Sequence, residues 1–138
     1  MTDPVISAKI ESLHRCLARV EDRRGESVDE LIADLYRQDV VVLNLTRAVQ
    51  LCVDIAVRAT SRAGKPTPDT MADAFADLAD EGVLAHDHAA RLRAAVGFRN
   101  IAVHAYGKLD WNVVHAVAHA GVEDLRAFAG AIAAAYLE

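Results

Sequence analysis

Apolar residues recur every three or four positions along most of the chain, which is the spacing of amphipathic helices rather than of strands. The first such segment covers residues 5–24, and Gly25 is expected to end it. A second apolar pattern extends over residues 28–63, either as one long helix or with a break near residues 36–39. Its length favours a helix over a strand, and its broad apolar circumference is typical of the central helix of a bundle.

The second half of the chain continues the helical pattern after a clear interruption. Residues 64–68 contain two prolines and a glycine, which predicts a loop. A short helix is expected to begin at Asp69 or Thr70 and to end near Gly82, and a longer one covers residues 89–105. The last helix begins at Asp110 or Trp111 and is expected to end near residue 136. The pattern as a whole predicts one all-α domain over residues 1–138, a bundle of about five helices.

Composition narrows the class of protein further. The chain has 138 residues, of which 53% are apolar and only 5% aromatic, a mixture that suits closely packed helices. The net charge of −5 argues against a protein that coats nucleic acid without specificity, and no DNA partner is expected. Cys16 and Cys52 lie in apolar helical settings without CxxC spacing, which predicts reduced core thiols. No signal peptide or membrane-spanning segment is expected, so the predicted location is the cytoplasm.

One side of the first predicted helix is basic. Such a side is usually solvated surface with acidic neighbours, and the alternative is a contact with the backbone of an RNA. The four positions that make it basic are Arg15, Arg19, Arg23 and Arg24.

The side chains best suited to chemistry gather in residues 98–106, at the end of a predicted helix. On a helical wheel, one arc is apolar and the other carries a cation, an amide, an imidazole and a phenol. Gly107 is expected to stop this helix, and Asp110 to cap the next. The apolar arc comprises Phe98, Ile101, Ala102 and Ala105, and the polar arc Arg99, Asn100, His104 and Tyr106.

Two interpretations of this polar arc remain open. A polar face near the C-terminus of a helix is often only solvated, and the helix dipole favours a histidine there without any function. The alternative is a functional site, although Arg99 and His104 point about 140° apart on an ideal helix. They converge only if the arginine side chain curls round, the helix distorts, or a second chain brings its own copy.

Other residues offer weaker candidates for chemistry. Asp54 lies among core residues of the long helix, where a carboxylate needs a partner; Arg99 is the candidate, and a surface position is the alternative. His86 and His88 have no third ligand close in sequence. Two further histidines at i, i+4 spacing in the last helix, His115 and His119, suit a polar flank better than zinc. No metal site is therefore expected.

The arrangement of polar residues resembles a known motif. Arg99, His104 and Tyr106 fit the pattern Arg-(x)4-His-x-Tyr, which Phe98, Asn100 and Asp110 extend here. With this motif between a proline loop and a terminal helix, the chain resembles the HEPN superfamily, and within it the HepT branch of the MntA–HepT toxin–antitoxin systems. Residues 44–50 and 54–56 also look like the long second helix of that branch, and the agreement in helix order covers essentially the whole chain.

The resemblance implies a HEPN-type helical bundle that forms a homodimer, with the two motifs facing a common cleft. It further implies a metal-independent endoribonuclease, the toxin of a type VII toxin–antitoxin system, that needs no cofactor. Arg99 and His104 would be catalytic, with Asn100 and Asp54 in support, and RNA would be the substrate. A partner nucleotidyltransferase antitoxin similar to MntA would neutralise the toxin by transferring AMP to Tyr106. The alternative is a non-catalytic HEPN module that dimerises and docks a nucleotidyltransferase. For Tyr106 itself the alternative is a structural role, with its ring packed across Arg99 and its hydroxyl hydrogen-bonded.

Overall fold

The computed structural model describes residues 3–137, which form helices and connecting turns with no strand among them. A 3-10 turn, Tyr106–Lys108, follows α5, and a π-helical turn, Val117–Gly121, joins α6 to α7 without a break. The predicted all-α class and the helix order are confirmed. The helices are α1 (Pro4–Arg23), α2 (Val28–Ala33), α3 (Leu35–Arg62), α4 (Asp73–Asp80), α5 (His86–His104), α6 (Trp111–Ala116) and α7 (Val122–Tyr136).

Three helix boundaries differ from the sequence prediction. The long helical pattern breaks at Asp34, two residues before the predicted window, because its extended backbone ends α2 and its carboxylate caps α3 by accepting the Tyr36 and Arg37 amides. Helix α4 begins at Asp73 rather than at Asp69 or Thr70, and α5 begins at His86 rather than at residue 89. The end of α5 agrees with the predicted residue 105, where the backbone of Ala105 leaves the helical region (φ −149°, ψ 49°) before Gly107 is reached. The predicted stop at Gly25 is correct, with φ at 73°.

Helix α3 is the centre of the bundle and packs against α1, α4, α5 and α7. By length and composition alone it could span a membrane, which the sequence prediction did not anticipate. More than half of that apolar window (56%) is buried inside the bundle, as expected of a core helix. Cys16 and Cys52 are free and buried between α1 and α3, and burial raises the pKa of both thiols.

Asp3 links the start of α1 to the end of α3 through hydrogen bonds and ion pairs. Its carboxylate accepts the backbone amides of Val5 and Ile6 at 2.9 and 3.3 Å, which caps α1. The other oxygen accepts from Arg58 Nε at 2.8 Å and from Arg62 Nη1 at 2.7 Å. The Arg58 guanidinium, with Arg62 and the capped amides, holds the pKa of Asp3 well below its ordinary value.

Replacing Asp3 with alanine is expected to lower the melting temperature by about 5 °C or more, because a helix cap and two ion pairs disappear together. Since the pKa of Asp3 is depressed in the folded chain, its contribution is fully present at neutral pH. That contribution is lost as the pH falls below the ordinary range of an aspartate. Thermal unfolding followed by circular dichroism at pH 7 and pH 3 measures both effects. Asp22→Asn, which removes only an exposed pair with Arg23, should leave the melting temperature nearly unchanged.

Candidate functional site

The last two turns of α5 carry the predicted polar stretch, and buried neighbours hold them in place. Phe98 and Ala102 are buried at 5% and 8% exposure, so the opposite face of the helix is turned outwards. Asn100 and His104 are exposed on that face, one turn apart. Ile101 lies on the apolar arc, but 46% of this residue is exposed.

Arg99 lies half-buried at the edge of this face. Its Nη1 donates to Asn100 Oδ1 at 3.1 Å, while its Nε is buried and has no hydrogen-bond partner in the described part of the chain. Helix α5 is regular through His104, so no distortion brings Arg99 and His104 together. The guanidinium instead curls towards Asn100, the residue one turn before His104. Its remaining N–H donors are suited to an anion.

Tyr106 begins the 3-10 turn after α5, where it bridges to a different helix. Its hydroxyl donates to Asp39 Oδ1 on α3 at 3.0 Å. Its ring lies edge-on to Trp111, with centroids 6.2 Å apart and planes at 71°, rather than across Arg99 as the alternative interpretation had it. Partial burial, together with the Asp39 hydrogen bond and charge, raises the pKa of Tyr106 to about 12. The phenol therefore keeps its proton at neutral pH.

Asp39 is a residue of this site that sequence reasoning missed. It lies 67 positions before Tyr106, and an exposed aspartate near the start of a helix carries no local signal of a distant contact. The only hint in the sequence was that it fell in a window where a helix break was possible.

The predicted pair between Asp54 and Arg99 is not formed. Asp54 Oδ2 lies 3.6 Å from Lys9 Nζ, and Asp54 Oδ1 accepts from Gln50 Nε2 at 2.9 Å. The side chain is 40% exposed, so the alternative of a surface position is correct. The sequence pattern placed Asp54 among core residues because it lies at the edge of the α3 face that packs against α1.

Three histidines outside the motif contact other groups of the bundle. His88 Nε2 lies 2.9 Å from the Asp124 carbonyl oxygen. The rings of His115 and His119 lie 4.3 Å apart, and burial, with Arg24 and His115 nearby, lowers the pKa of His119. Across residues 3–137, no group of three or more His, Cys, Asp or Glu side chains is placed to share a metal ion.

An apolar groove lies beside the motif, between α5 on one side and α6 and α7 on the other. It has a volume of about 720 Å³, and Phe98, Leu109 and Val117 contribute to its lining. Ile101 and Val113 also line it and are 46% and 48% exposed, although both are large and apolar. Within residues 3–137 this apolar surface has no partner, and Phe98 and Ile101, the residues that flank Arg99 and Asn100 in the sequence, both line it.

The arrangement suits acid–base chemistry at an anionic substrate. An exposed imidazole can accept and return a proton near neutral pH, and a guanidinium can stabilise charge on phosphoryl oxygens. The two groups lie at one helix end together with an amide and a reachable phenol, as the sequence predicted.

Comparison with known proteins gives consistent matches over nearly the whole chain. Residues 13–132 match the family model described as ribonuclease HepT-like. The chain is 35% identical to the mRNA nuclease HepT of Shewanella oneidensis strain MR-1, over 97% of this chain and 99% of that protein.

Solved structures agree with this match. A toxin–antitoxin structure with AMP-PNP superposes with a TM-score of 0.90 at 31% identity, covering 96% of this chain and 99% of the other. The tri-AMPylated HEPN toxin of Shewanella oneidensis, in complex with its MNT antitoxin, gives a TM-score of 0.89 at 33% identity, covering 97% and 99%.

Proposed function

This chain belongs to the ribonuclease HepT-like family. We propose that it is a toxin that cuts RNA without a metal ion and that Arg99 and His104 are its catalytic residues. The relative from Shewanella oneidensis is an mRNA nuclease, and related toxins form complexes with MNT antitoxins. The substrate proposed for this chain is accordingly RNA, and the partner is a nucleotidyltransferase antitoxin.

The observation that supports the proposal is that Arg99 has no carboxylate partner in the described residues. Among the described residues no carboxylate pairs with it, and its only side-chain hydrogen bond is to the neutral amide of Asn100. A half-buried guanidinium without a counter-charge can bind an anion. A phosphodiester offers two oxygens in a suitable geometry for this contact. His104, exposed at the same helix end, supplies the proton acceptor.

The chemistry follows from these two groups. The ribose 2′-hydroxyl attacks the adjacent phosphorus while His104 takes its proton, so a 2′-O–P bond forms and the P–O5′ bond breaks. Arg99 stabilises the charge that develops on the non-bridging oxygens. The leaving 5′-oxygen gains a proton, and the first product ends in a 2′,3′-cyclic phosphate. Incubating the purified chain with RNA in EDTA tests this activity, and substitutions at the two positions test the site.

A homodimer completes the site in this proposal. On the regular helix α5, Arg99 and His104 diverge, so one copy does not direct both groups at one phosphate. The exposed apolar residues Ile101 and Val113 lie beside the motif and offer a surface for a second copy. Two motifs facing one cleft would then supply one histidine to accept the proton and a second to donate one to the leaving oxygen.

Ile101→Asp is expected to convert the dimer to a monomer, because a carboxylate in an apolar interface costs several kcal/mol when it has no partner. We expect the dimer dissociation constant to rise by about 100-fold or more, and RNA cleavage to fall with it at low protein concentration. Light scattering across a dilution series measures the association. Val5→Asp is the matched control, since Val5 is also 40% exposed but lies at the start of α1. An Ile101→Asp chain that remains a fully active dimer would contradict this interface.

Tyr106 is proposed as the residue that the antitoxin modifies with AMP. Tyr106 is 40% exposed and lies two residues after His104, and its hydroxyl bonds only to Asp39 in the described residues. An attached nucleotide would fill the cleft, and its phosphate would compete with RNA for Arg99.

A further inference from the structure

A second basic site lies in the cleft between α1 and α3, where three arginines converge. Arg15 and Arg19 extend from α1, Arg47 extends from α3, and all three are exposed. They line a cleft of about 400 Å³ above the buried thiol of Cys16, and the positive field of all three reaches that thiol. Three cations of like charge in one cleft repel each other unless an anion joins them.

These arginines differ from most others in the chain. Within residues 3–137, none of the three has a carboxylate oxygen within 4.0 Å, although the chain has a net charge of −5. In the described part of the chain, the one side-chain hydrogen bond of Arg15 is to the hydroxyl of Ser12, at 2.9 Å. Asp54 also lines the cleft, but it is paired with Lys9. The six described arginines that do have a carboxylate within that distance are Arg23, Arg37, Arg58, Arg62, Arg91 and Arg126.

The cleft opens on the same face of α3 that receives the motif. Asp39, which binds Tyr106, and Arg47 lie within an 80° arc of the helix, about 12 Å apart along its axis at 1.5 Å per residue. Leu43 lies between them and is 50% exposed, so this side of α3 faces solvent at that position. A strand of RNA that enters the motif can therefore continue along α3 to the arginines.

We propose that Arg15, Arg19 and Arg47 form a binding site for the phosphodiester backbone of the RNA substrate, outside the site of cleavage. The inference rests on the proposed ribonuclease function and adds the path of the substrate on the protein surface. Arginines that contact only phosphates hold the strand without reading its bases. They explain how an acidic protein can bind RNA through a local cleft.

Binding of a fluorescent single-stranded RNA whose 2′-hydroxyls are methylated tests the site, because this probe binds but lacks the nucleophile. The variant with Arg15→Gln, Arg19→Gln and Arg47→Gln is expected to bind about tenfold more weakly at low salt. In a plot of log affinity against log salt concentration, the slope of this variant should be smaller in magnitude by about 2 units. Each of the three lost phosphate contacts is expected to contribute about 0.7. The corresponding triple lysine variant keeps the charges and should retain most of the affinity.

A single-charge comparison provides the matched control. Arg47→Gln and Arg126→Gln each remove one positive charge, but Arg126 pairs with Glu21 and Glu123 on another surface. Only Arg47→Gln should weaken RNA binding and reduce the salt slope.

Equal slopes in the triple glutamine variant and the wild type would overturn the proposal, as would a wild-type chain that does not bind the probe. Normal RNA binding with loss of the antitoxin complex would also overturn it and would assign the arginines to that partner. Failure of the ribonuclease proposal itself would appear separately, as intact unmethylated RNA after incubation with the wild type.

Discussion

His104→Ala and Arg99→Ala are each expected to reduce the rate of RNA cleavage by about 10²–10⁴-fold while the chain stays folded. The first substitution removes the group that takes the 2′-proton, and the second removes the cation that stabilises the developing phosphoryl charge. His104 is exposed, and Arg99 has no ion pair among the described residues, so neither loss leaves a buried charge unpaired. Single-turnover cleavage of a short labelled RNA measures the rates, and circular dichroism checks the fold.

Matched substitutions on the same helix separate chemistry from surface charge. His86→Ala removes an exposed imidazole at the other end of α5, and Arg93→Ala removes an exposed guanidinium two turns before the motif. Both should cut RNA within a few-fold of the wild-type rate. Arg99→Lys keeps the charge but loses the planar fork, so an intermediate rate is expected. A His104→Ala chain that retains more than a tenth of the activity would contradict the acid–base role.

Tyr106→Phe is expected to leave cleavage nearly intact and to escape neutralisation by the antitoxin. The phenylalanine ring keeps the edge-on packing against Trp111 but has no oxygen to receive AMP. In the unmodified chain the hydroxyl donates to Asp39. A modified oxygen cannot donate, and its phosphate repels that carboxylate, so the nucleotide is driven towards Arg99 and the cleft. We therefore expect the modification to switch off cleavage.

Co-expression with the antitoxin, followed by peptide mass spectrometry, measures the modification. The wild type should gain AMP on the peptide that contains Tyr106 and lose cleavage, whereas Tyr106→Phe should gain no mass and remain toxic. Tyr36→Phe is the control, since Tyr36 is 85% exposed on α3 and outside the motif. Neutralisation of the wild type with no added mass on Tyr106 would mean that the antitoxin acts by binding alone.

Periodicity predicted the helices because each one buries a continuous apolar stripe against the rest of the bundle. It failed where one side chain decides the outcome. The break at Asp34 depends on two amides whose hydrogen bonds its carboxylate accepts. This cap does not change the hydrophobic pattern, so periodicity alone could not place the break.

The site was predictable only along a single helix. Local spacing brought Arg99, Asn100 and His104 together because they lie within six positions of each other. The contact between Tyr106 and Asp39 depends on how α3 packs, as does the outward position of Ile101. Asp54 was assigned to the wrong partner for the same reason, since its neighbours are set by the packing of α1 on α3.

The most direct test of the central claim is the chemical end of the cleaved RNA. A defined single-stranded RNA is incubated with the purified protein in EDTA, and the products are identified by mass spectrometry. We expect cleavage that leaves a 2′,3′-cyclic phosphate, and no cleavage where the scissile nucleotide carries a 2′-deoxyribose. Cleavage that stops in EDTA, or products that lack the cyclic phosphate and persist with the 2′-deoxy substrate, would contradict a metal-independent reaction at Arg99 and His104.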